Sequence, residues 1–169
     1  MYYILESERQ IQRLEELVKD PIYIEVVSSN DLYHPKLSYI SAIYIRPVDQ
    51  ESGYIVPIQH GDANNVGLTS IYQILLKAPT LYTLNKKTLL YHLNLQKAID
   101  VSLLYSMKHF KKLEYKSSNQ IVEWYYRQYD SKRDINSIIP ISKLYQRCEI
   151  GYESIEPFIS EICINNSTI

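Results

Sequence analysis

The sequence predicts an α/β fold with an antiparallel three-stranded meander at its centre and helices packed around it. Two observations carry most of this. Residues 21–58, PIYIEVVSSNDLYHPKLSYISAIYIRPVDQESGYIVPI, hold three β-branched and tyrosine-rich runs, Ile22–Val27, Leu37–Arg46 and Gly53–Ile58. Turn-forming residues at Ser28–Pro35 and Pro47–Gly53 part them, the pattern of consecutive hairpins. Near the other end, apolar residues recur at Ile141, Leu144, Tyr145, Cys148, Tyr152, Ile155, Ile159 and Ile162, a long amphipathic helix whose stripe is expected to be core against the sheet.

The elements follow in order. Ser7-Glu8-Arg9-Gln10 has capping-box spacing, and Ile11, Leu14, Leu17 and Val18 form one stripe before Asp20-Pro21 stops the helix. In the first strand the period of two puts Tyr23, Glu25 and Val27 on one face and Ile22, Ile24 and Val26 on the other, so one carboxylate sits in an apolar strand. After the polar loop Gln59–Gly67, Thr69 is placed to cap a helix carrying Ile71, Tyr72, Leu75 and Leu76, which ends at Ala78-Pro79. Thr80–Leu84 reads as a strand, Asn85-Lys86-Lys87 opens a helix with Leu89, Leu90 and Leu93, and Asn94 is suited to close it in a left-handed conformation. Ala98–Val101 reads as a further short strand. Ser117-Ser118-Asn119-Gln120 can cap a helix bearing Ile121, Val122, Trp124, Tyr125 and Tyr129, Asp130–Ser137 reads as a polar loop, and Pro140 opens the last helix. Pro157 is expected to kink that helix, and Asn165–Ile169 to fray.

With 169 residues, 46% of them hydrophobic, the chain suits one domain with one core. A formal charge of -1 provides no global field towards nucleic acid or an anionic membrane, so any such binding has to be local. No apolar run is long enough to span a bilayer and MYYILESERQ lacks a signal-peptide layout, from which a cytoplasmic location is expected, in a host cell if the chain is viral. Abundant Tyr, Ile, Asn and Lys hint at an AT-rich genome. Cys148 and Cys163 lack CxxC spacing and a nearby His set, and His34, His60, His92 and His109 are scattered, so neither a metal nor a cofactor is expected.

Taken in order, IYIEVVSSNDL, KLSYISAIYIRP, GYIVPIQH, LNKKTLLYHL, KAIDVSLL and IPISKLYQRCEIGYESIEPF resemble the successive motifs of the 3′-5′ exonuclease domain of family A DNA polymerases, a DnaQ-like (DEDD) group with the ribonuclease H-like fold. The resemblance spans nearly the whole chain and implies a mixed sheet. It also implies a chemistry: two divalent ions about 4 Å apart, held by four acidic side chains, hydrolyse a terminal phosphodiester. At the matching positions the acids are largely missing. The first-strand pair falls on Glu25 and Val27, or on Tyr23 and Glu25; the second-motif Asp falls on Leu89; the third-motif Tyr and Asp fall on Arg147 and Gly151. An arginine there adds a fixed positive charge that opposes cation binding.

Glu25 is accordingly expected to be paired, with Arg147 a candidate, or to lie at a solvated strand end. Asp100 is expected to cap a helix, and Glu149 to be solvated on another helix face. Gly151 either lets the last helix approach Val27 and Leu89 closely or lies on an open surface beside Tyr152. The functional expectation is a catalytically inactive domain, not an enzyme, acting as an interaction or structural module with protein partners in a DNA replication, repair or other nucleic-acid-processing assembly. The first alternative is a single-stranded nucleic-acid binder, with tyrosines stacking on bases and Lys86, Lys87, Lys111 and Lys112, joined by Lys108, Lys132 and Arg133, following phosphates. The second is an active exonuclease with a rebuilt metal site.

Overall fold

A computed structural model describes residues 3–30, 35–114 and 134–167. The meander forms as expected from β1 (Ile22–Ser28), β2 (Ile40–Pro47) and β3 (Tyr54–Pro57). β1 pairs antiparallel with β2 in the register Tyr23↔Arg46, Glu25↔Tyr44, Val27↔Ala42, with an irregularity between Val27 and Ser28. β2 pairs antiparallel with β3. On the other side of β1, β4 (Leu81–Thr83) and then β5 (Ile99–Asp100) join in parallel, giving a mixed sheet in the order β3-β2-β1-β4-β5. The outer edge of β3 is covered by the start of the chain: Leu5 N–H donates to Ile55 O at 2.9 Å and Ile55 N–H to Tyr3 O at 2.8 Å. That removes a row of open backbone groups from one sheet edge.

The helices are α1 (Glu8–Ile11), α2 (Leu14–Leu17), α3 (Leu68–Leu76), α4 (Lys86–His92), α5 (Val101–His109), α6 (Ile135–Ile138) and α7 (Ile141–Ser167), with a 3₁₀ turn at Pro35–Leu37. Several boundaries differ from the sequence expectation. The N-terminal helix is two short pieces, although Ser7 caps the first through its hydroxyl to Gln10 N–H. Gly67, not Thr69, is the N-cap of α3. Asn94 does not adopt the left-handed conformation; Leu93 ends α4 extended, and among the described non-glycine residues Phe110 is the one with positive φ. Part of the expected loop at Asp130–Ser137 is α6, and α7 continues through Pro157 to Ser167 instead of fraying at Asn165. The helix expected from Ser117 to Tyr129 lies outside the described residues, as do His34, Lys132 and Arg133.

Strand alternation sorts the core into two layers. Ile22, Ile24, Ile43, Ile45 and Leu81 pack with Ile11, Leu14, Ile71, Leu75 and Leu89 from α1 to α4. On the opposite face Tyr23, Val27, Ala42, Tyr44, Ile55 and Tyr82 pack with Val101 of α5, Ile135 of α6 and the α7 stripe Leu144, Cys148, Tyr152, Ile155 and Ile159. The α7 stripe is therefore core, as its spacing predicts. Both sheet faces are covered, which is why β2 is buried at every residue.

Candidate functional site

Glu25 lies on the α7 face of β1, half-buried. α7 crosses it at Cys148, which is 1% exposed and donates its thiol hydrogen to Glu25 Oε2 at 2.9 Å. Arg147 is half-buried and bonds Asn136 Oδ1 at 3.2 Å. Gly151 is buried, so it does not lie on open surface. Val27 shares this layer, but Leu89 does not; it packs on the other face of the sheet with Ile22 and Ile24. The five positions that the resemblance assigns to one metal pocket are thus divided between two sides of the sheet. One carboxylate, two hydrocarbons, a guanidinium and a glycine do not fit the two-metal arrangement there. Among the described residues no group of three His, Cys, Asp or Glu side chains is placed to hold a metal ion.

The strongest polar constellation on this face is one that sequence reasoning missed. Arg46, 2% exposed, is ion-paired with Glu149, whose side chain is 13% exposed. Glu149 also accepts from Tyr44 OH at 3.0 Å and from Gly53 N–H at 2.8 Å. Arg46 donates to Gln50 O at 3.1 Å, and its guanidinium carbon lies 4.6 Å from the centre of the Tyr152 ring. The expectation that Glu149 is solvated is corrected: α7 presents Cys148 to β1 and the next residue, Glu149, to β2. Gly53 fits this contact because a Cβ there would lie 2.7 Å from Ile45 O and 2.8 Å from Tyr44 OH, so no larger residue allows the loop that close. The signal was legible in part. Arg46, like Glu25, is a lone charge in an apolar strand.

Burial works against the Arg46 charge, but Tyr44 and Glu149 outweigh it and its pKa lies above the ordinary value. Tyr44, Tyr145 and Tyr152 all have phenol pKa values raised well above 10.0, in each case chiefly by burial. An acid whose folded pKa is raised keeps its proton when the unfolded chain has lost it, so the folded state is favoured less as pH climbs past the unfolded value. The contribution of these tyrosines to stability should therefore be fully present below about pH 10 and be lost as pH rises above it. Tyrosinate absorbance followed alongside circular dichroism should show these phenols ionising together with unfolding. Their titration near pH 10 with the fold intact would contradict the burial described.

Asp100 caps as expected, and does so twice: Oδ1 accepts from Leu103 N–H at 2.8 Å and Oδ2 from Lys86 N–H at 3.1 Å, tying the starts of α4 and α5 together. Lys86 and Lys87 begin α4, whereas Lys111 and Lys112 follow the end of α5. The length of α5, about 13 Å at 1.5 Å per residue, therefore separates the two pairs. Lys86 Nζ is bonded to Gln96 O. His60 is structural, 3% exposed with Nε2 2.7 Å from Ile139 O. A cavity of about 460 Å³ opens between the starts of α3 and β2 and the end of α4, where Gly67, Tyr39, Tyr91 and His92 line it, away from Glu25.

No family model matches the chain, and no curated protein is similar to it in sequence. Solved structures are similar in fold. A nuclease in its apo form superposes with a TM-score of 0.54 at 10% identity, covering 99% of this chain and 82% of that one. The fold of this chain is similar to that nuclease's. The five-stranded mixed sheet flanked by helices is the α/β architecture that the resemblance implied. The EXO domain of Nibbler from Aedes aegypti gives a TM-score of 0.46 at 12% identity over 94% of this chain and 88% of that one. The catalytic core of RRP6 from Trypanosoma brucei gives 0.42 at 9% identity over 91% and 49%. The expectation that the chain is not an enzyme is corrected by this nuclease fold. Its basis was a motif alignment that the structure splits across the sheet at Leu89, so missing acids at those positions are no ground for inactivity.

Proposed function

We propose that this chain is an exonuclease-like module of a nucleic-acid-processing assembly and that it serves the assembly by binding partner chains. The observation that carries this reading is the outer face of α5, where Leu103, Met107 and Phe110 are turned to solvent in one line. Co-purification tests it. The chain isolated from its native source should bring down the same partners reproducibly and in fixed proportion, and a chain that always comes alone would refute the reading.

A second reading, a nuclease centred on Glu25, is supported by that half-buried carboxylate facing α7 and by the fold shared with a nuclease. Its assay is an end-labelled single strand with Mg²⁺ or Mn²⁺. Shortening that follows the protein through purification and is lost in a folded Glu25→Gln variant would put hydrolysis ahead of partner binding. Shortening unaffected by that variant would move the search to another carboxylate.

A further inference from the structure

α5 has two faces. Inward, Val101 is fully buried, Tyr105 meets Phe158 of α7 edge-on at 5.1 Å, and Lys108 is ion-paired with Glu161. Outward, Leu103, Met107 and Phe110 are 59%, 65% and 93% exposed. Their spacing of four and then three residues stacks them in one ridge, roughly 10 Å long at 1.5 Å per residue. A scattered exposed apolar residue needs no explanation, but three large ones in line on one helix do.

Phe110 adds a second observation. It is the C-cap of α5, with φ 55 and ψ 30, and its N–H donates to Ser106 O at 2.9 Å. Glycine is the residue that suits this left-handed position, and a larger side chain there has a steric cost. Phenylalanine accepts that cost and leaves its ring in water, so the fold gains nothing from it. Directly after it stand Lys111 and Lys112, exposed and with no ion pair among the described residues, in a chain whose net charge is -1.

We propose that this ridge, Leu103, Met107 and Phe110 with Lys111 and Lys112 at its end, docks an acidic amphipathic helix of a partner protein. The proposal deepens the partner-binding reading above and rests on it. An apolar ridge takes the apolar stripe of a helix two turns long, and the lysines match carboxylates flanking that stripe. Leu103 and Met107 have no flat face for a base, and two lysines give little hold on a phosphate chain, which disfavours a nucleic acid. A second copy is disfavoured because the ridge itself, residues 103–110, carries no carboxylate to meet Lys111 and Lys112 of the other copy.

The test uses the intact chain and a fluorescein-labelled helical peptide with Leu and Phe at i, i+3, i+4 and i+7 and Glu on both flanks, followed by anisotropy. A peptide of the same composition in scrambled order is the control. The ordered peptide should bind at least about tenfold more tightly than the scrambled one, and Phe110→Gly should weaken it by about tenfold, the loss of one aromatic anchor. Phe110→Gly should leave the melting temperature equal or higher, since glycine suits the backbone there. Lys111→Glu with Lys112→Glu should weaken binding further and flatten its salt dependence. Equal binding of both peptides, or no effect of Phe110→Gly, overturns the proposal. So does tighter Phe110-dependent binding of labelled oligothymidylate or of anionic vesicles, self-association that Phe110→Gly abolishes, or photo-cross-linking from position 110 to residues 115–133 of the same molecule. If Phe110→Gly still co-purifies with the native partners, this docking site is wrong while the partner-binding reading stands; if the unaltered chain has no partners, that reading itself fails.

Discussion

Glu149→Ala should destabilise the protein by about 3–5 kcal/mol, the cost of leaving one member of a buried ion pair without the other. Arg46 is 2% exposed and cannot reach bulk water when its partner goes. The same change strips an acceptor from Tyr44 OH and from Gly53 N–H, two groups held in the same closed space. The pair is nevertheless not a net source of stability to the same extent, because both charges had to be desolvated to form it. Replacing both at once, Arg46→Met with Glu149→Leu, should therefore cost less than Glu149→Ala alone. Urea unfolding midpoints of the two variants decide it. A loss below about 1 kcal/mol for Glu149→Ala is the value of an exposed pair and would contradict the burial of this one.

Leu89→Asp, which restores the acid that the resemblance places at this position, should cost about 4 kcal/mol or more and abolish folding if the protein is only marginally stable. Leu89 is 2% exposed and packs among Ile22, Ile24 and Leu93, apolar surroundings that solvate a carboxylate poorly. Leu89→Ala separates the two parts of the loss: it should cost about 2–4 kcal/mol for the cavity alone, and the remainder in Leu89→Asp is the buried charge. A Leu89→Asp protein as stable as the original would mean that α4 turns this position to an open groove and would revive the metal pocket.

The sequence by itself determined what repeats at short range. The alternation of Tyr23, Glu25 and Val27 against Ile22, Ile24 and Val26 is the division of the core into two layers, because a strand has no other way to place successive side chains. The α7 stripe likewise names the residues that meet the sheet, and Asp100 declares itself as a cap by standing just ahead of a helix. The tertiary structure alone decided which residues meet across long separations. Arg46 and Glu149 stand 103 residues apart, and their pairing depends on how far α7 has slid along β1 and β2. A shift of one residue along a helix turns a side chain by 100°, so the same slide set Cys148 on Glu25. Leu89 shows the same limit: its spacing after Asn85 matches a motif, but the face it takes follows from where α4 lands on the sheet. The exposure of Phe110 was equally illegible, since an apolar residue at a helix end reads as core until the elements that fail to cover it are in place.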